Sequence, residues 1–140
     1  MLSHMPLQTL VVRRATFSIE EPWAVPAGCE PIALLRSTDG APPHLATDVF
    51  VYSDAEYLHV LFHAHDDGVV ATHLRHDAPL YEEDVVETFL APADLARYYE
   101  IEVNPLGTTF DARVDSPDGD RKSTRLNSSH YQPSRMPSSA

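Results

Sequence analysis

An all-β chain folded as an antiparallel β-sandwich is what this sequence predicts, on three observations. From residue 48 onward, short β-branched and aromatic runs are separated by turn signals. Apolar and polar residues alternate within 98–103 and 108–114, the period of a strand with two unlike faces. No internal repeat, heptad or long helical period competes with that pattern.

The elements follow in order. Residues 19–47 are rich in proline and are expected to be irregular, except for a short strand at Ile32, Ala33, Leu34 and Leu35. Residues 48–52 (DVFVY) form a first clear strand, closed by Ser53, Asp54, Ala55 and Glu56. Residues 57–64 (YLHVLFHA) form a second, closed by His65, Asp66, Asp67 and Gly68. Residues 69–83 have room for no more than a turn of helix, because Pro79 lacks the N–H a longer one would need. A third strand, 84–90 (DVVETFL), ends at Ala91 and Pro92. The fourth, 98–103 (YYEIEV), and the fifth, 108–114 (TTFDARV), read as a hairpin, since Asn104, Pro105, Leu106 and Gly107 supply turn geometry.

Alternation assigns faces to that hairpin. Tyr99, Ile101 and Val103 point away from Tyr98, Glu100, Glu102 and Asn104 on the fourth strand. Phe110, Ala112 and Val114 oppose Asp111, Arg113 and Asp115 on the fifth. The expectation is one oily face and one face rich in carboxylates with an arginine among them. Like charges directly opposed destabilise a strand pair unless something bridges them.

Composition bounds function. The chain carries a net charge of −11, and its first 119 residues set six arginines against twenty acidic residues, with no basic run beyond Arg13–Arg14. That excludes nucleic acid as a partner, which demands a basic patch, and suits neutral ligands or cations. Cys29 is the only cysteine, so no intrachain disulfide forms, and it reads as a small buried hydrophobe. The start, MLSHMPLQTLVVRR, has no basic segment leading into an apolar stretch, which leaves a cytoplasmic product with no membrane partner as the expectation, and Met5 as an alternative initiator.

The last 21 residues differ in character. Residues 120–140 (DRKSTRLNSSHYQPSRMPSSA) hold Lys122, the only lysine, and six serines. Residues 120–130 can be back-translated codon for codon into a widely used short-read sequencing adapter. This tail is therefore expected to be an artefact without defined structure, leaving an N-terminal segment over 1–18 and one domain over 19–119 that lacks its C-terminal strands.

The order of motifs resembles one family. Tyr57-Leu58-His59-Val60-Leu61-Phe62 precedes Asp66-Asp67, Ala71-Thr72 and Arg75. Then come residues 77–84 (DAPLYEED), Val86-Glu87-Thr88-Phe89-Leu90, residues 98–107 (YYEIEVNPLG) and Phe110-Asp111-Ala112. This succession is similar to the family 9 carbohydrate-binding modules. The resemblance implies a sandwich of the DOMON-like, immunoglobulin-like type that binds saccharides without catalysis, often with a structural calcium, in proteins that carry glycoside hydrolases and are often secreted.

Sugars are held by an aromatic ring against an apolar sugar face and by planar polar groups on vicinal hydroxyls. The candidates are Arg75, Tyr81, Glu82, Glu87, Glu102, Asn104 and Arg113, with Trp23 as a further platform, although its proline-flanked segment argues for a core position. The resemblance implies that the strand of Glu87 is central, so its ionised side chain needs a cation such as Arg75 or Arg113. Calcium, the one cofactor suggested, would take oxygens from Asp66, Asp67, Asp77, Glu83 and Asp84, which match no EF-hand spacing. His59, His63 and His65 share a strand face at intervals suited to zinc or haem iron, which makes a DOMON-like haem or metal-binding domain the rival reading. A hydrolase would need two carboxylates set apart across a cleft, and the sequence singles out no such pair, Glu87 and Glu102 included.

Overall fold

The computed structural model describes residues 9–93, 96–115 and 122–125. The chain divides into two compact units, Met1–Asp67 and Gly68–Ala140. Each unit holds one sheet, and the described residues contain no α-helix. This is an all-β fold of the kind from which DOMON-like and immunoglobulin-like sandwiches are built.

The first sheet is organised on β3 (Thr47–Ser53). One edge of β3 pairs antiparallel with β4 (Leu58–Ala64) along its whole length, from Thr47 opposite Ala64 to Ser53 opposite Leu58. The other edge is divided between two fragments. β2 (Ile32–Ala33) pairs antiparallel at Val49 and Asp48, and β1 (Arg13–Arg14) pairs parallel at Tyr52 and Ser53. The β-branched and aromatic run of β3 fits this central place, and Val49, Phe50 and Tyr52 are buried. β2 is shorter than the apolar run at 32–35 suggests, and β1 has no period-2 signature long enough to read.

Residue Asp54 closes the β3–β4 turn. Its Oδ1 accepts the backbone N–H groups of Glu56 at 2.7 Å and Tyr57 at 2.8 Å, while Oδ2 lies 2.7 Å from His59 Nε2. Those bonds, the Glu56 amide first, hold the carboxyl down to about 2. His59 is stacked between two rings, 4.8 Å from Phe17 and 4.7 Å from Tyr52, each 13° from parallel. Tyr52, opposite His59 in the register, has its phenol pushed up by burial and then by Cys29 and Asp54. Cys29 itself is half-buried rather than fully so.

The second sheet runs β5 (Val86–Leu90), β6 (Arg97–Val103), β7 (Thr109–Asp115), β8 (Lys122–Arg125), each antiparallel to the next. β8 lies inside the tail that the sequence sets apart, and pairs Lys122 to Arg125 with Asp115 to Ala112. Residues 126–140, most of that tail, lie outside the described residues, as does Met5. The turn of helix appears as one 3₁₀ turn at Leu80–Glu82, entered directly from Pro79, and Leu80 is fully buried.

The β6–β7 register overturns the expected faces. Tyr98 opposes Val114, Glu100 opposes Ala112 and Glu102 opposes Phe110. Residues directly opposite share a face, so the acidic row of β6 lies with the apolar row of β7. Ile101 opposes Asp111 and Tyr99 opposes Arg113, so the second face is mixed as well. The reason is the odd length of the connection, 104–108, which brings even-numbered residues opposite even-numbered ones. Glu102, Ala112 and Val114 are all buried.

Asn104 fixes that connection. Its Oδ1 accepts Leu106 N–H at 3.1 Å and Thr108 N–H at 2.9 Å, and its Nδ2 donates to the His73 carbonyl at 2.9 Å. Gly107, at φ 78°, supplies the left-handed residue, and its N–H reaches the Asn104 carbonyl at 2.9 Å. Replacing Asn104 by alanine should lower the unfolding free energy by about 1–3 kcal/mol, because a side chain at 3% exposure is lost and the Leu106 and Thr108 amides are left without partners. Urea denaturation followed by circular dichroism reads this directly, and a loss under about 0.5 kcal/mol would contradict the role.

Candidate functional site

The loop 70–84 of the second unit is stitched into a closed finger by its own acids. Asp84 Oδ2 accepts Val70 N–H at 2.6 Å, and Asp84 N–H donates to Val70 O at 3.0 Å. Glu83 accepts the Thr72 amide at 2.5 Å, the His73 amide at 3.2 Å and the Thr72 hydroxyl. The Thr72 hydroxyl, ahead of the amides, draws the Glu83 carboxyl below its usual value. The finger is tied to the β6–β7 hairpin at two further points, where Asp77 N–H meets Thr109 O at 3.1 Å and Thr108 Oγ1 meets His73 O at 2.7 Å.

The finger therefore holds its outward residues on a braced backbone. Arg75, Tyr81 and Glu82 are exposed, Tyr81 at 69%, and Glu82 lies 3.8 Å from His73 Nε2. Trp23, for which the sequence argues a core position, stands 56% exposed in the first unit, with its carbonyl 3.4 Å from His63 Nε2. The other candidates are placed differently. Asn104 is the buried brace just described. Arg113 pairs with Asp115 at 3.1 Å on its own strand.

Glu87 and Glu102 face each other across β5 and β6, with Glu100 on the same face. The expected cation is not there: Arg113 points to the opposite face, and none of the ion pairs among the described residues involves Arg75. Burial, then Glu87 and Glu100, pushes Glu102 up to about 7, and burial and Glu100 raise Glu87. Glu102 is 2% exposed and its Oε2 has no hydrogen-bond partner among the described residues. With burial and two neighbouring carboxylates where an arginine was expected, the neutral form of Glu102 is favoured.

A raised carboxyl beside two others resembles the acid of a glycosidase, a mark the sequence did not carry. The geometry does not serve one. Glu102 is 2% exposed, so its carboxyl is shut off from a sugar in solution.

The acids suggested for calcium fall in both units. Asp66 and Asp67 belong to the first unit, whereas in the second Glu83 and Asp84 hold the finger closed. His59 and His63 are engaged with aromatic rings, His63 edge-on to Phe50 at 5.2 Å, and His65 N–H bonds Ala46 O at 3.0 Å. Among the described residues, one group of three His, Cys, Asp or Glu side chains is placed to share an ion, and it comprises His76, Asp77 and Asp111. Sequence reasoning named Asp77 alone of these.

The profile of carbohydrate-binding family 9 matches residues 38–130 of the chain, well over half of it. The chain belongs to that family. Neither a curated protein nor a solved structure matches it. As a family 9 module it is a noncatalytic carbohydrate-recognition domain, and nothing about His59, His63 or His65 favours the haem or metal-binding alternative over that function. The match crosses residue 119 and takes in the first eleven residues of the tail. Among the described residues of this module, no helix is long and apolar enough to cross a membrane.

The family 9 module should show an unusual response at Glu102. A carboxyl whose folded value lies near 7, against 4.5 ordinarily, binds its proton more tightly in the folded state. Its stabilising contribution is complete below about 4.5 and is lost as pH rises through about 7. Glu102→Gln, which cannot ionise, should be more stable than the parent by about 1–3 kcal/mol at pH 8 and close to it at pH 5, since a tenfold change in proton affinity is worth about 1.4 kcal/mol. Urea midpoints at the two pH values measure it, and the same difference at both would refute the buried-proton account.

Proposed function

We propose that the module grips polysaccharide through the braced finger 70–84, with Tyr81 stacking on a sugar face and Arg75 and Glu82 bonding its hydroxyls. The observation that supports this reading is the closure of the finger by Glu83 and Asp84, which holds those three side chains exposed at little further ordering cost. Glu87, exposed at the rim of the acidic row, is a further polar contact, and exposed Trp23 is a second platform on the first unit. A neutral glycan fits a chain of net charge −11 better than a polyuronate.

Family membership also supports a place beside glycoside hydrolases, to which such a module would hold the substrate close. Calcium at the acidic loops stays a proposal. That residues 120–140 are foreign to the module rests on the codon agreement, against which stand β8 and a match reaching residue 130. Sequencing an independent copy of the gene across codon 119 decides between them.

Affinity electrophoresis and a glycan array test the binding reading. Tyr81→Ala and Arg75→Ala should each weaken binding about tenfold or more, as charge-assisted bonds and stacking contribute about 1–3 kcal/mol each. Binding should survive moderate salt, because a neutral ligand releases few counterions. Loss of binding in Trp23→Ala with none in Tyr81→Ala and Arg75→Ala would move the site off the finger.

A further inference from the structure

We propose that His76, Asp77 and Asp111 form a binding site for one divalent transition-metal ion of the zinc class, which fastens the finger to β7. Their ligand atoms all lie within 4.8 Å of one another. His76 Nε2 is 3.3 Å from Asp77 Oδ1 and 3.4 Å from Asp111 Oδ1. Ligands bound to zinc at about 2.0–2.1 Å in a tetrahedron stand about 3.3–3.4 Å from each other, so two edges of the polyhedron are already set. The third edge, between the carboxylates, has only to shorten within the 4.8 Å span.

The histidine is held in the orientation a ligand needs. His76 Nδ1 lies 2.7 Å from the Thr109 carbonyl and 3.0 Å from Thr109 Oγ1. A carbonyl only accepts, so Nδ1 carries the hydrogen, and in the neutral ring Nε2 turns its lone pair toward the two carboxylates. A backbone carbonyl on one ring nitrogen, fixing the other for an ion, is the usual outer shell of a metal-bound histidine. Asp77 Oδ1 is shut away from solvent although its side chain is 25% exposed, and beyond the 3.3 Å approach of His76 Nε2 it has no hydrogen-bond partner among the described residues. Three electron-rich atoms converging on one point, one of them shut away from water, call for a cation between them.

The donor set chooses the ion. An imidazole nitrogen with two carboxylate oxygens suits zinc and its neighbours, whereas calcium takes six to eight oxygens. Water would complete the fourth position. Asp77 and His76 belong to the finger and Asp111 to β7, so the ion would be a cross-link rather than a reaction centre, and the proposal does not depend on where sugar binds.

The test uses the full chain after dialysis against a chelator. Cobalt(II) titration should give the visible absorption of a tetrahedral site with nitrogen and oxygen ligands, bleached when zinc is added. Calorimetry should find one zinc per chain, bound more tightly than calcium, with a rise in melting temperature. Asp111→Asn and His76→Gln should each weaken zinc binding about tenfold or more, while His63→Gln and His65→Gln leave it unchanged. Absence of saturable cobalt and zinc binding in the unsubstituted chain would overturn the proposal and leave His76 as an ion-pair partner of the two aspartates. So would unaltered binding in folded Asp111→Asn and His76→Gln, or a preference for calcium.

Discussion

The odd-length connection between β6 and β7 is the constraint on which the second sheet depends. Side chains reverse at every residue, so a five-residue link closed at Val103 opposite Thr109 brings Glu100 and Glu102 onto the face of Ala112 and Val114. One residue more or fewer would have produced an oily face and a solvated acidic one. The consequence reaches across to β5, where Glu87 meets Glu102 directly. An acidic row on a partly buried face must find a cation or hold its protons more tightly, and here the carboxyl of Glu102 is raised to about 7.

That register is itself held by local chemistry. Asn104 bonds both ends of the link and the His73 carbonyl, so one side chain sets the hairpin and anchors the loop that carries Arg75 and Tyr81. The loop in turn is closed by Glu83 and Asp84, and tied again through Asp77 to Thr109. Strand register, loop position and the exposure of Arg75 and Tyr81 are thus parts of one hydrogen-bond network, and most of its members are acids or amides rather than apolar groups.

Much of this was legible in the sequence, for reasons that differ by element. β3, β4, β5, β6 and β7 each carry a β-branched or aromatic run bounded by turn residues, and each lies within two residues of where those runs place it. β1 was hidden because two residues are too few for a period, and β8 because a serine-rich stretch has little strand signal. Faces on one strand could be read, but the pairing of faces between strands could not, since it turns on whether the link is odd or even as built. The sequence placed Tyr81 and Arg75 between strands, where the structure has them exposed on a loop. The meeting of His76 with Asp111 spans 35 positions and leaves no spacing to find, and the bracing bonds of Asn104 stay hidden because a bonded amide and a free one have the same letter.

Closure of the finger at its base has an evolutionary consequence. Glu83 and Asp84 hold Thr72, His73 and Val70 through bonds that do not involve the side chains of Leu74, Arg75, Tyr81 or Glu82. Exchanges at these exposed outer positions leave the clasp intact, so the tip can drift in sequence while the architecture beneath it stays under separate selection. Variation among relatives should then concentrate between the two halves of the clasp, with the residues that close it staying fixed.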